Sequence, residues 1–236
     1  MSKLLSVIVP AYNEGQNICR VLEKVLAVNL VYGIEKEILV VDDGSKDDTY
    51  GQAEAFIKAH PQAPVRLFRH EQNAGKGMAI RTALPHAKGD FIIIQDGDLE
   101  LNPNDFSALL KCMIDGNHAV VYGSRFLNKQ NTVLYRRFYW GGRLVSFITN
   151  LLYGQHITDE PTCYKLFRAE LLKSIPLNCT GFEFCPEVTA KVAKRGIRIQ
   201  EVPISYTPRT LEQGKKLRWT DGLEAVGTLL KYRFRD

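Results

Sequence analysis

The run Gly89-Asp90-Phe91-Ile92-Ile93-Ile94-Gln95-Asp96-Gly97-Asp98 decides the reading of this chain. Its apolar centre is strand-sized and lacks polar alternation, the pattern of a strand covered on both faces of a parallel sheet. Two carboxylates, Asp96 and Asp98, follow at the strand exit, where open α/β sheets bind their ligands. Acids two apart can share one hard cation, and Glu100 offers a further oxygen. The matching client of that cation is a diphosphate. Surface turns also produce Asp-x-Asp, so the motif takes its weight from the rest of the chain.

Working outward, short β-branched runs at 4–9, 37–41, 65–68, 91–95 and 119–122 alternate with helix-periodic stretches opening at Glu14, Asp47, Gly75 and Pro103. That alternation predicts an α/β fold, a Rossmann-like and mostly parallel sheet flanked by helices. Ser45 or Asp47 suits the cap of the second helix, and Asn102-Pro103 opens the fourth. After Arg125 the alternation stops. A polar loop at 128–132 precedes a helix over 136–153, the stretch 158–167, a helix over 184–195, a strand-like segment at 198–206, a basic loop and a last helix from about 220 to 232. The expected organisation is one domain over 1–236, with a nucleotide-binding half to about residue 125 and an acceptor-handling half beyond it.

The 236 residues carry a net charge of +5, a mild excess that is local: Arg136, Arg137 and Arg143, then Lys215, Lys216 and Arg218, then Lys231, Arg233 and Arg235. Such clusters suit phosphates or an anionic membrane surface, and equally a solvated basic face. Five scattered cysteines without a Cys-x-x-Cys pair argue against a disulfide framework or a zinc site and fit a reducing cytosol. The first twelve residues do not read as a signal peptide, and no apolar run approaches the roughly 20 residues of a spanning helix.

The other strand exits carry polar residues too. Val9-Pro10-Ala11-Tyr12-Asn13-Glu14 ends the first strand and Val41-Asp42-Asp43-Gly44-Ser45 the second, so their side chains meet at the same sheet edge as Asp96 and Asp98. No Gly-x-Gly-x-x-Gly follows the first strand, which weighs against a dinucleotide oxidoreductase. Gly75-Lys76-Gly77 is not a Walker loop, because position 70 is His and Gly follows the lysine.

These blocks, with Asn73-Ala74-Gly75-Lys76-Gly77 and Gly123-Ser124-Arg125, closely resemble the family 2 inverting glycosyltransferases. Thr162-Cys163-Tyr164-Lys165, Glu201-Val202-Pro203-Ile204-Ser205-Tyr206 and Gly214-Lys215-Lys216 resemble more narrowly the dolichyl-phosphate mannose and glucose synthase branch. The resemblance covers essentially 4–234 and implies the glycosyltransferase A fold. It implies that Pro10, Tyr12, Glu14, Val41 and Asp43 hold the nucleoside of a nucleotide-diphosphate sugar, and that Asp96, Gly97 and Asp98 lie along its diphosphate. Asp96, Asp98 and Glu100 would surround Mg²⁺ or Mn²⁺, while Arg209 and Lys216 would close a basic loop over the donor. Arg125 with Arg136 or Arg137 would clamp an acceptor phosphate. Asp98, Arg125 and Arg209 are the expected catalytic residues. The chain departs from the mannose synthase pattern at Gly97, commonly alanine, at Glu100, often glutamine, and in a loop at 209–216 one residue longer, which leaves Lys215 or Lys216 as the donor contact.

The acceptor's chemistry decides whether a base is needed. A sugar hydroxyl requires a nearby carboxylate, for which Asp159, Glu183 and Glu187 are candidates, whereas a lipid phosphate with a second pKa of about 6 is already largely dianionic. Such an acceptor requires cations instead, and arginine suits a bidentate grip. The helix over 136–153 sets Trp140, Leu144, Phe147, Ile148 and Leu151 on one face, which suits either a membrane interface or the sheet beneath. The expectation is a cytoplasmic enzyme, peripheral on the cytosolic face of a membrane, with room for a membrane-anchoring partner and no nucleic acid. It would move a hexose from GDP-mannose, or secondly UDP-glucose, to polyprenyl or dolichyl phosphate. The rivals are a family 2 transferase acting on a saccharide and a non-catalytic nucleotide-sugar binding subunit.

Overall fold

Strand runs without polar interruption and helices with apolar residues three and four apart build the framework. The computed structural model describes residues 3–132, 134–210 and 219–235. Strands β1 (Leu4–Ala11), β2 (Glu35–Asp42), β3 (Val65–Arg69) and β4 (Phe91–Ile94) are joined through α1 (Ile18–Ala27), α2 (Thr49–Ala59) and α3 (Lys76–Ala83). The central strands β1, β2 and β4 are buried almost throughout, as a sheet covered on both faces requires. Helix α1 buries Ile18, Val21, Leu22 and Val25, and α4 (Phe106–Asp115) buries Phe106, Leu109, Leu110 and Met113, the same i, i+3, i+4, i+7 stripe.

The second half adds β5 (Val120–Ser124), α5 (Arg136–Tyr153), β6 (Lys165–Arg168), α6 (Ala169–Ser174), α7 (Phe184–Lys194), β7 (Gln200–Pro203) and α8 (Trp219–Phe234). The sheet runs β3-β2-β1-β4-β6-β5-β7, and only β6 is antiparallel to its neighbours among these strands. The mostly parallel sheet is thus as expected; the stretch 158–167, given no element type, runs into β6 at Lys165, the strand-like 198–206 is a strand only over Gln200–Pro203, and α6 has no counterpart in the sequence reading.

Three helices begin later than their sequence signals. The Glu14 carbonyl accepts from Asn17 N and Ile18 N in a turn before α1, and Asp47 Oδ1 accepts from Thr49 N at the start of α2. A short turn, Pro103–Asp105, precedes α4, with Asn102 accepting from Asn104 N. The polar side chains are spent shaping the strand-to-helix loops, which delays regular helix.

Helix α5 reverses the usual arrangement. It buries Val145, Ser146 and Thr149, while Trp140, Leu144, Phe147 and Leu151 are 56–74 % exposed. Ser146 Oγ accepts from Glu160 N and donates to the Gly142 carbonyl, so the small polar face docks on the domain. Ile148 leaves the expected stripe and packs with Val145, Ala190, Leu229 and Tyr232, which join α5, α7 and α8. Of the two readings of this face, packing on the sheet is the one the structure corrects. No helix of the described residues is long and apolar enough to cross a membrane.

Candidate active site

The sheet order reverses at β1, which has β2 and β3 on one side and β4 on the other. A crevice opens outside the carboxyl ends of strands at such a switch point. The loops after β1 and β4 therefore bring Pro10 to Glu14 beside Asp96 to Asp98. They pack closely: a Cβ placed on Gly97 would stand 3.3 Å from the Pro10 carbonyl oxygen. Cross-ties fix the neighbouring loop after β2, since Asn13 N donates to Ser45 Oγ at 2.9 Å and Glu14 N to Thr49 Oγ1 at 2.8 Å.

Two cations divide the acids between them. Lys76 Nζ, at the start of α3, donates to Asp96 Oδ1 at 2.5 Å. The Arg209 guanidinium reaches Asp98 Oδ2 at 2.6 Å and Glu14 Oε1 at 3.2 Å, while its backbone N donates to Glu100 Oε1 at 2.8 Å. Burial opposes ionisation of Asp96, but the adjacent Lys76 ammonium holds its carboxyl below the ordinary value. Burial and then the nearby Asp96 push Asp98 up to about 7, against the pull of Arg209. Among the described residues no group of three or more acids, histidines or cysteines is arranged to hold a metal ion. Carboxylate oxygens are the ligands a hard dication takes, and Asp96, Asp98 and Glu100, expected to supply them, each face a cationic side chain here.

Asp43 is a hub rather than an open carboxylate. It accepts from His70 Nδ1 at 2.7 Å, Asn73 Nδ2 at 3.0 Å, Ala74 N at 2.9 Å and Gly75 N at 2.8 Å. These bonds fold the loop that delivers Lys76, helped by Gly75 at φ 96°, a conformation that favours glycine. A Cβ there would also lie 2.4 Å from the Thr180 carbonyl oxygen.

Arg125, at the end of β5, grips Asp159 through Nε and NH2, both at 2.7 Å, and through its backbone N at 2.9 Å. Burial disfavours its charge and the Asp159 carboxylate more than compensates, so the guanidinium is held firmly cationic. Its guanidinium lies 5.2 Å from the Tyr206 ring centroid, and Tyr206 OH donates to Glu100 Oε2 at 3.1 Å, linking the arginine to the acid cluster. Glu201 accepts from Thr158 N, Thr158 Oγ1 and Asp159 N and so fixes the loop that presents Asp159.

Of the residues expected at the site, Pro10, Glu14, Asp96, Gly97, Asp98, Glu100 and Arg209 come together, with Arg125 alongside. Tyr12 is half-buried after β1, and Val41 is wholly buried within the sheet, paired in register with Pro10. Arg136 and Arg137 are exposed on the first turn of α5, where the Arg137 guanidinium lies against the Tyr135 and Phe138 rings. Lys216 and Lys215 lie outside the described residues. Lys76 and Tyr206 fall within sequence motifs that assign them no role, and Asp159 is expected only as a base; a motif marks residues without showing what they bond.

A parallel sheet with acids at its switch point and a mixed far edge defines the glycosyltransferase A arrangement. The fold is similar to glucosyl-3-phosphoglycerate synthase from Mycobacterium tuberculosis in complex with Mn²⁺, UDP-glucose and phosphoglyceric acid, with a TM-score of 0.72 and 22 % identity over 99 % of this chain and 81 % of that one. Residues 6–175 match "Glycosyl transferase family 2", and the chain belongs to that family. It is a glycosyltransferase. Relatives include a dolichyl-phosphate beta-glucosyltransferase of Trichomonas vaginalis, 30 % identical over 98 % of this chain and 73 % of the relative. A UDP-N-acetylglucosamine–dolichyl-phosphate N-acetylglucosaminyltransferase of Methanococcus voltae is 32 % identical over 90 % of each. A dolichol-phosphate mannosyltransferase of Pyrococcus furiosus is 27 % identical over 89 % of this chain and 58 % of the relative.

Proposed function

We propose that this enzyme transfers a hexose, mannose or glucose, from a nucleotide-diphosphate sugar to polyprenyl or dolichyl phosphate with inversion at the anomeric carbon. The observation that carries the reading is the Arg125–Asp159 pair. It makes Asp159 a support for a cation beside the cleft and removes it as a base. The other two base candidates are committed as well. Glu183 accepts from Thr180 N and Gly181 N, and Glu187 accepts from Asn178 N, Cys179 N and Lys191 Nζ. An acceptor that arrives as an anion needs no base and does need cations, and Arg125 is suited to that task.

On the donor side, Pro10, Tyr12 and Glu14 line the nucleoside end, with Val41 of β2 and Asp43 just beyond it in support. Asp96, Asp98 and Glu100 would hold Mg²⁺ or Mn²⁺, which when bound neutralises charge on the departing diphosphate. Arg209 stands ready to take a phosphate oxygen, and Lys216 joins it in this reading. The relatives' acceptor, a dolichyl phosphate, supports the choice of a lipid phosphate.

The lipid also accounts for α5. Trp140, Leu144, Phe147 and Leu151 of α5 and Leu223, Leu230 and Phe234 of α8 are exposed, on two helices that pack on each other. Arg136, Arg137 and Arg143 stand at the start of α5, and Lys231, Arg233 and Arg235 at the end of α8. An apolar face edged by cations suits an anionic bilayer, so the enzyme works at the membrane surface where its acceptor lies.

The test is a transfer assay with purified protein, Mn²⁺ or Mg²⁺, radiolabelled GDP-mannose and UDP-glucose in parallel, and polyprenyl phosphate in detergent. Label entering the organic phase establishes the reaction and identifies the sugar. No lipid label from either donor, in protein that binds a nucleoside diphosphate, contradicts the proposal.

A further inference from the structure

We infer that Ser146 and Asn150 of α5 are positioning residues for the acceptor step: they seat the segment that carries Asp159, and through it Arg125, on the helix whose opposite face is apolar and exposed. This rests on the proposed role of Arg125 toward the acceptor phosphate and adds the helix that sets its place.

Gly142, Ser146 and Asn150 recur every four residues, which lines them up on successive turns of one helix face. Each meets chain next to Arg125 or Asp159. A Cβ on Gly142 would stand 3.2 Å from the Phe126 ring and 3.5 Å from Pro161, so the bare glycine lets the helix come close to both. Ser146 Oγ accepts from Glu160 N at 2.8 Å. Asn150 makes a two-point contact with the backbone of Ile157, its Nδ2 donating to the carbonyl at 2.8 Å and its Oδ1 accepting from N at 2.9 Å. Asp159 lies between these anchors, and Glu201 of β7 holds Thr158 and Asp159 as well.

The seat governs where the guanidinium stands. The Asp159 side chain is fully buried and takes Arg125 by three bonds, so a shift of its backbone carries the arginine with it. Binding groups are sensitive to such a shift, since a misplacement of about 1 Å can cost on the order of 100-fold in rate. With Ser146 and Asn150 in place, the segment cannot move without leaving buried polar groups unpaired.

Neighbours on the same inward face act differently. Thr149 Oγ1 donates back to the Val145 carbonyl within the helix, and Val145 packs with Ala190, Leu229 and Tyr232, so these two hold α5 to the domain. Ser146 makes the same kind of back-bond, to Gly142, and still accepts from Glu160 N. Phe147 and Leu151, each the next residue in sequence, are exposed. The turns that meet the proposed lipid surface are therefore the turns that hold the partner of the acceptor arginine.

The test compares wild type with Ser146→Ala and Asn150→Ala, varying in turn the donor, polyprenyl phosphate in detergent and a short-chain, water-soluble prenyl phosphate. Each variant is expected to raise KM for both phosphate acceptors about fivefold while donor KM stays within about twofold, the split that a misplaced acceptor group produces. Unchanged acceptor KM, or an equal rise in donor KM, overturns the inference and leaves the proposed function standing. A rise confined to the long-chain acceptor overturns it too, because the helix then acts through the lipid surface alone. Loss of the fold in both variants, read by urea unfolding, assigns the two side chains to stability and overturns it as well. Failure of wild type to label either phosphate acceptor overturns the inference and the proposed function together.

Discussion

Arg125 and Asp159 form a two-point ion pair, with Nε to Oδ2 and NH2 to Oδ1 both at 2.7 Å and the carboxylate fully buried. A buried carboxylate tolerates this setting because its partner is a planar fork that meets both oxygens. Lysine retains the charge and loses the fork. Arg125→Lys is expected to cost about 1–2 kcal/mol of stability and to raise KM for polyprenyl phosphate at least tenfold with little change in KM for the donor. Steady-state kinetics with each substrate varied in turn, beside a urea melt, measures both. An equal rise in the two constants contradicts the acceptor assignment.

Asp98→Asn keeps the shape of the side chain and removes its charge. Burial and Asp96 already disfavour that charge in the resting enzyme, so the fold is expected to remain within about 1 kcal/mol of wild type by denaturant unfolding. Metal-dependent turnover is expected to fall by roughly 100-fold or more, the scale of a lost electrostatic contact to a developing charge. Near-normal kcat in this variant would remove Asp98 from the cation's ligands.

The outward face of α5 makes a different demand. Phe147 and Leu151 are 63 and 74 % exposed, so Phe147→Glu with Leu151→Glu should leave the unfolding midpoint almost unchanged. Binding to vesicles containing anionic lipid should drop several-fold in a flotation assay, while nucleotide binding stays intact. Retained vesicle binding rules this surface out as the membrane contact.

Glu187 sets an acid-side stability limit. Burial raises its pKa, but bonds from Lys191 and from the Asn178 backbone N outweigh that and hold the carboxyl below its ordinary value. A depressed folded pKa contributes stability that is present above the unfolded value of about 4.3 and is lost as pH falls through the folded value. Glu187→Gln should therefore be less stable than wild type at pH 7, and the gap should narrow as the pH is taken below 4. A gap independent of pH, in urea unfolding at several pH values, would contradict the ionic role.

The first half of the fold was legible because buried parallel strands and amphipathic helices write strong periodic signals, as in Phe91 to Ile94 and in Ile18, Val21, Leu22 and Val25. The second half was less so: β6 (Lys165–Arg168) and β7 (Gln200–Pro203) are as short as β4 but carry charged or polar residues where β4 is wholly apolar, and α6 has only six residues. The convergence of Glu14, Asp96, Asp98 and Glu100 follows from strand order and could be anticipated. Their partners could not. Lys76 and Arg209 are brought to the acids by three-dimensional closure across up to 195 positions of sequence, and Asp43 turns inward to build a loop. The outward stripe of α5 shows the same limit from the other side: periodicity names a face without saying what it meets.

The central claim is that the acceptor attacks through a phosphate already ionised, beside Arg125 and without a base. Purified enzyme with labelled donor and divalent cation should be offered polyprenyl phosphate, the unphosphorylated polyprenol of the same length and a soluble saccharide, side by side. Label entering polyprenyl phosphate alone is the predicted result. Label entering the polyprenol or the saccharide at a comparable rate would show that a hydroxyl is activated at this site and would contradict the account.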